Sequence, residues 1–140
     1  MKSSLKKFIT YYLPPVFWMG LIFYFSSLPG LMVVKNNVEV DAVSRKFGHM
    51  LEFGFLAFLF YRIFAERFLF SVSRAVFYGS FLSLIYAASD ELHQKFTPFR
   101  EGTVRDWTYD LAGVVIFLLI FYLVKNNIQK NNGKDRAKFS

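Results

Sequence analysis

An all-α membrane protein, built as a bundle of four transmembrane helices with both termini in the cytoplasm, is the fold that the sequence predicts. Hydrophobic residues make up 54% of the 140 residues and aromatic residues 21%, which is more apolar surface than so small a globule can bury. This composition excludes a disordered chain. The absence of cysteine excludes a disulfide scaffold, a thiolate metal site and a cysteine nucleophile. Four long apolar segments and the distribution of basic residues complete the prediction.

The first predicted span covers residues 8–28, a stretch without a charged residue. At ~1.5 Å per residue this helix is long enough to cross a hydrocarbon core of about 30 Å. Three lysines precede it, as in a signal peptide, but no cleavage site of small residues follows, so we expect an uncleaved span. Pro14 and Pro15 are expected to kink its start. Pro29 and Gly30 are expected to end it.

Three further spans are predicted at about 46–65, 72–92 and 106–124, each long enough to cross a bilayer. Each of them carries ionisable residues at one end only. We therefore expect one transmembrane domain over residues 1–125. Residues 126–140 are polar and basic, and they are expected to form a disordered cytoplasmic tail.

Basic residues set the predicted orientation. Lys and Arg are concentrated before the first span, between spans two and three and in the C-terminal tail, whereas eight of the ten Asp and Glu lie in the other two loops or at the span ends that adjoin them. The positive-inside rule then places the loops near 29–45 and 93–105 outside the cell. The net charge of +7 is explained by this topology and by anionic inner-leaflet lipid. No basic patch is interleaved with stacking aromatic residues outside the spans, so we expect no nucleic-acid partner.

Ionisable residues of spans two to four converge at their outward ends. On span two they recur in steps of three, which places them near one face of a helix. Charged groups inside a bilayer cost about 2.5–3.5 kcal/mol each at its centre, so we expect them to line a polar cavity open to the outside. The residues are Lys46, His49 and Glu52 on span two, Asp90, Glu91 and Gln94 on span three, Arg100 and Arg105 in the loop that follows, and Asp106 and Asp110 on span four.

Two roles are expected for this group. Clustered carboxylates raise one another's pKa, and a histidine beside them can carry protons. The candidates for this acid–base chemistry are His49, Glu52, Asp90 and Glu91. The candidates for binding a ligand are Lys46, Gln94, Arg100, Arg105, Asp106 and Asp110.

Simpler explanations and a metal site remain alternatives for some of these residues. The helix dipole favours acids at the start of a helix, which by itself accounts for Asp106 and Asp110, but it disfavours them at the end. His49 with Glu52 and Asp90 is a ligand set for a divalent ion. The chain has no paired-histidine spacing, and we predict neither a metal nor a cofactor.

The order of these residues resembles the motifs of the VanZ family, K-x-x-H-x-x-E-[YF], S-D-E-x-x-Q-x-F-x-P-x-R and D-x-x-x-N-x-x-G. The matching segments are KFGHMLEF at 46–53, SDELHQ at 89–94 followed by Phe96, Pro98 and Arg100, and Asp106 with Gly113. Asp110 stands where the third pattern has Asn. The resemblance implies a small, mostly bacterial integral membrane protein. The family is named for a member that lowers susceptibility to teicoplanin.

The leading hypothesis is a multi-pass protein of the bacterial plasma membrane with an outward site that binds or modifies an anionic lipid-linked or peptidoglycan-related ligand. Membrane lipid is its expected surrounding partner. One alternative is a hydrolase or transferase that uses His49 and a carboxylate. Another is a structural or adaptor protein whose charges only hold the helix ends together. A proton-coupled transporter is a weaker alternative, because carboxylates at one end make no relay across the membrane.

The predicted orientation is testable because the chain has no native cysteine. A membrane-impermeant maleimide applied to intact cells should label Asn36→Cys and leave Asn131→Cys unlabelled until the cells are opened. The reverse labelling pattern would place the polar site in the cytoplasm and contradict a role in the cell envelope.

Overall fold

The computed structural model describes residues 2–28, 38–98 and 104–138, with side chains described for 4–28, 43–98 and 107–124. This part of the chain is helical and contains no strand. The α-helices are α1 (Lys2–Lys7), α2 (Leu13–Ser27), α3 (Val38–Arg62), α4 (Val72–Gln94) and α5 (Val104–Lys138), and π-helical segments at Phe8–Tyr12 and Ile63–Arg67 extend two of them.

The first long helix runs from α1 through the π-helical segment into α2. Pro14 and Pro15 lie in the first turn of α2, where a helix tolerates missing amide donors. Just before them, the Leu13 N–H donates to the Phe8 carbonyl, five residues back rather than four. The prolines are thus accommodated by a locally widened helix. The helix ends at Ser27, and Leu28 is extended, as the following proline requires.

A tight turn joins α3 to α4. The Phe70 N–H donates to the Phe64 carbonyl six positions back, at 3.0 Å, one position farther than the 6→1 bond of a Schellman motif. Leu69 has a φ of 54°, a conformation that L-residues other than Gly, Asn and Asp rarely adopt. The turn is therefore short, and it makes α3 and α4 antiparallel neighbours.

Two helices are longer than the sequence predicts. α3 begins at Val38, so His49 and Glu52 lie well inside it rather than in its first turns, as a start near residue 46 would have placed them. α5 continues to Lys138, whereas the sequence predicts a disordered tail over residues 126–140. That stretch has no proline, so polarity alone does not end the helix.

Among the described residues, three helical stretches are long and apolar enough to cross a membrane: Ser4–Ser27, Val43–Arg67 and Trp107–Val124. The fourth predicted span is present as the 23-residue helix α4, which does not reach the same apolarity. Its packed face carries small residues and ends in Asp90, Glu91 and Gln94. The four-span arrangement and the orientation of the termini therefore stay predictions.

α3 lies at the centre of the fold and packs against α4 along a row of small residues. Ala75, Gly79, Ser83 and Ala87 recur every four positions on α4 and are buried. A Cβ on Gly79 would lie 2.8 Å from the backbone nitrogen of Tyr61, so the two helix backbones touch there. Such rows let helices approach closely in membrane proteins.

The crossing of α3 and α5 is closer still. A Cβ on Gly113 would collide with the backbone of Met50, and one on Gly54 would lie 2.9 Å from Cβ of Phe117. The remaining surface is apolar: Phe77, Phe81 and Ile85 of α4 are each more than half exposed. An exposed apolar surface of this extent is typical of contact with lipid.

Gly113 is predicted to be essential for the packing of α5. Gly113→Ala should lower the free energy of unfolding by about 1–3 kcal/mol, because the new methyl group would overlap the Met50 backbone. The measurement is unfolding of the purified protein in detergent. Gly20→Ala is the matched control, since nothing lies within 4 Å of the added Cβ. It should be neutral or stabilising by about 0.5–1 kcal/mol, and an equal loss in both variants would contradict the prediction.

Candidate functional site

Polar side chains from four helices meet at one end of the bundle. Because consecutive helices alternate in direction, the end of α2, the first half of α3, the end of α4 and the start of α5 share a level. Within the described side chains, this end holds buried Ser26, Asp90, Glu91, Gln94 and Asp110. Together with His49 they form two groups, one between α3, α4 and α5 and the other between α2 and α4.

The first group, called here the acid–histidine cluster, consists of His49, Glu91 and Asp110. One nitrogen of His49 and one carboxylate oxygen of each acid lie within 4.8 Å of one another. Nδ1 of His49 is 3.5 Å from Oδ1 of Asp110, an ion pair when the imidazole is protonated. Asp110 is 0% exposed and Glu91 6%. Three helices thus bring two buried carboxylates and an imidazole to one point.

The second group ties α2 to α4 through Asp90. Oδ2 of Asp90 accepts hydrogen bonds from Oγ of Ser26 and Nε2 of Gln94, both at 2.7 Å. The same Nε2 lies 3.2 Å from Oγ of Ser26. Oδ1 of Asp90 is buried and accepts no hydrogen bond from any residue that the structure describes. Asp90 and Glu91 are adjacent on α4, yet they serve different contacts.

A Ser27–His93 pair lies at the edge of the second group. Oγ of Ser27 donates to the Phe23 carbonyl at 2.7 Å, so Nε2 of His93 is the donor in the 3.0 Å bond to that hydroxyl. The His93 ring also stacks on Phe23, with centroids 4.6 Å apart. In this arrangement His93 does not accept the hydroxyl proton of Ser27, and the pair is not an activated nucleophile.

Side-chain hydrogen bonds to backbone carbonyls fix the helices around these groups. Nε1 of Trp18 donates to the Glu52 carbonyl at 3.0 Å, joining α2 to α3. Nε1 of Trp107 donates to the Leu84 carbonyl at 3.2 Å, joining α5 to α4. Tyr86 Oη donates to the Met19 carbonyl at 2.7 Å, joining α4 to α2. Each bond crosses between helices and satisfies a polar atom inside the apolar bundle.

The other residues predicted for the site take different positions. Lys46 lies one turn before His49 on α3, and its Nζ is 4.6 Å from the centroid of the Tyr109 ring. Glu52 is half-buried on α3. Arg100 lies outside the described residues, and so do the side chains of Arg105 and Asp106.

The grouping differs from the one considered in the sequence. His49 meets Glu91 and Asp110, rather than Glu52 and Asp90 as in the metal-ligand set weighed above. The sequence does not predict a role for Ser26, because the first span shows only as an apolar segment. The available signal was its position at the end of that segment, which alternating helix directions bring level with Asp90.

Comparison with known proteins decides the family. Residues 8–125 match the VanZ/LLP1 family. The chain belongs to this family. The match begins before α2 and ends within α5, so it includes every helix that contributes to the two polar groups. No curated protein and no solved structure matches the chain. Family membership together with the three apolar helices indicates a membrane protein.

Ser26 is predicted to stabilise the association of α2 with α4. Ser26→Ala removes a donor to a buried carboxylate and should cost about 1.5–3 kcal/mol of unfolding free energy. Ser89→Ala is the control, because its exposed hydroxyl bonds only to the Tyr86 carbonyl of its own helix. It should stay within about 0.5 kcal/mol of the wild type. Equal stability of the two variants would show that the Asp90 network is not a structural tie.

Proposed function

We propose that the chain is a multi-pass protein of the bacterial plasma membrane in which α4 is a fourth span and both termini are cytoplasmic. With 23 residues, α4 is about 34 Å long at ~1.5 Å per residue. Its exposed face carries Phe77, Phe81 and Ile85, which suit lipid. Its small and polar residues face the other helices, where their lower apolarity does no harm.

We further propose that the polar end of the bundle faces outward and binds an anionic, lipid-linked or peptidoglycan-related group. The acid–histidine cluster is the observation that carries this proposal. Ionisable residues inside a membrane are costly, and they mark functional sites by default. Here Glu91 and Asp110 are at least nine-tenths buried beside His49, contributed by three separate helices. The residues one helical turn before His49 carry basic side chains that can contact an anion.

Those basic side chains form the proposed rim of the site. Arg45 and Lys46 precede His49 by about one turn of α3, and both are half-buried. The sequence adds Arg100 and Arg105 in and after the loop that follows α4. Arginine recognises phosphate and carboxylate through two parallel hydrogen bonds. An anion would contact this rim, since Glu91 and Asp110 repel a negative charge that approaches them directly.

In this proposal His49 carries protons between the cluster and the bound group. Its imidazole is 17% exposed, whereas its partner Asp110 is fully buried, so the histidine is the member that a ligand can reach. The same geometry suits a hydrolase or transferase in which His49 acts as the base. Binding and catalysis share the residues, and turnover of the bound group distinguishes them.

A structural role is the second candidate, and one observation favours it. Ser26, Asp90 and Gln94 form a closed set of hydrogen bonds that joins α2 to α4. A protein whose charges serve only this purpose would lose abundance and function together when they are removed. A binding site would lose function at normal abundance.

The link to glycopeptide resistance rests on the family's name. It is tested by expressing the chain in a teicoplanin-sensitive Gram-positive host. Wild type should raise the inhibitory concentration, and Glu91→Gln should abolish that protection at equal membrane abundance, because it removes a charge from the cluster.

Glu66→Gln is the matched control for this assay. Glu66 is exposed at the opposite end of the bundle, where it pairs with Arg62 at 3.3 Å, so its replacement should retain protection. Loss of protection in proportion to loss of protein would favour the structural role. No protection by well-expressed wild type would remove glycopeptides from the proposal.

The ligand class is tested separately with the purified protein. A short polyprenyl phosphate should bind more tightly than the matched uncharged polyprenol. Lys46→Gln should reduce that difference, because one of the rim charges is lost. Equal binding of the two lipids would contradict an anionic ligand.

A further inference from the structure

We propose that His49, Glu91 and Asp110 bind a divalent ion of the first transition series, for which zinc and manganese are the best candidates. The metal site is argued from the side chains themselves. Its role, which is to hold an oxygen of the anionic ligand, rests on the anion site proposed above and takes the place of proton transfer by His49, because a metal-bound imidazole nitrogen carries no proton. The sequence alone predicts no metal, because the three ligands come from three helices and show no motif spacing.

The donor atoms have the right chemistry and separation. Imidazole nitrogen suits zinc, and carboxylate oxygen suits both zinc and manganese. Ligand atoms that lie about 2.0–2.2 Å from one ion are separated from each other by about 3–4.4 Å. The three donor atoms of the cluster lie within 4.8 Å of one another. Small rotations of His49 and Glu91 are enough to close on an ion.

The backbone beneath the cluster is fixed, which makes the donors preorganised. Gly113 lies less than one turn from Asp110 and packs against the backbone of Met50, the residue that follows His49. The distance between α3 and α5 is therefore set by direct backbone contact at this level. Ligands on rigid helices hold their geometry better than ligands on loops.

Charge at this point provides a second argument. Asp110 is 0% exposed and Glu91 6%, and their oxygens lie within 4.8 Å of each other. Two carboxylates so close in an apolar bundle repel each other strongly. A bound divalent cation would be the largest local charge at the site, and it would stabilise both carboxylates.

The ligand number indicates what the ion does. The three ligands that the described side chains supply leave at least one coordination position for another group, as in metal sites that bind a substrate. An anionic oxygen in that position would be attracted by the ion. The positive ion would thus allow an anionic ligand to bind at a cluster that contains two carboxylates.

The chain contains two histidines, His49 and His93, which makes the test sharp. Full-length protein without an affinity tag is purified in detergent, stripped with a chelator and titrated with Zn²⁺ by calorimetry. Cu²⁺ is then used as a spectroscopic probe, because a nitrogen ligand adds superhyperfine splitting to its electron paramagnetic resonance spectrum. We expect one ion per chain and the signature of one nitrogen.

Four variants assign that binding. His49→Gln should remove the nitrogen signature, and Asp110→Asn should weaken zinc binding by more than about tenfold. His93→Gln should keep the signature, and Asp90→Asn should keep zinc affinity, because Asp90 bonds to Ser26 and Gln94 instead. Elution profiles and melting curves confirm that each variant is folded before it is scored.

The outcomes separate the metal from the proposed function. Absence of stoichiometric zinc binding, or retention of the nitrogen signature in His49→Gln, overturns the metal site. Equal weakening by Asp90→Asn and Asp110→Asn also overturns it, since that result indicates general attraction to acids. If the polyprenyl phosphate still binds in excess chelator, the anion site stands without the metal. If zinc binds but the phosphate does not, the metal site stands and the function fails.

Discussion

The cost of burying ionisable groups among apolar helices is the constraint on which the rest of this structure depends. Asp90, Glu91 and Asp110 are each at most 6% exposed, and an isolated carboxylate in such a medium is strongly unfavourable. Each is therefore placed near polar atoms: Asp90 accepts hydrogen bonds from a hydroxyl on α2 and an amide on its own helix, and the other two lie beside His49. The order and direction of the helices follow from this requirement, because only alternating helices bring these groups level.

Close backbone contact is what allows short polar side chains to reach across the bundle. Ser83 lies in the row of small residues on α4, and its hydroxyl donates to the Phe53 carbonyl of α3 at 2.8 Å. The contacts at Gly79 and Gly113 keep α3 within reach of both its neighbours. A row of bulkier residues would separate the helices and move the same hydroxyl and carboxylates away from their partners. The polar contacts therefore depend on the close packing.

The sequence predicted the helical class, the end of the first helix at Ser27 and the extent of α4 almost to the residue, because proline and polarity signals at those points are local. It also indicated that ionisable residues of three spans converge, since helix direction alternates. The start of α3 at Val38 escaped prediction because charged residues within 38–45 interrupt the apolar run. Asp90 and Glu91 have different partners, and Ser26 bonds to Asp90. These contacts depend on how α4 is rotated about its axis, which is set by contacts between residues distant in sequence.

In the proposed four-span arrangement, the row of small residues on α4 bears on how the chain enters a bilayer during synthesis. α4 falls short of the apolarity of the other long stretches, so on its own it has the least to gain from leaving the translocation channel. Paired with α3 across the short turn at Leu69, it hides Gly79 and Ser83 against a neighbour and shows lipid mainly its aromatic side. The two helices are thus suited to inserting together as a hairpin, in which α3 covers the less apolar face of α4.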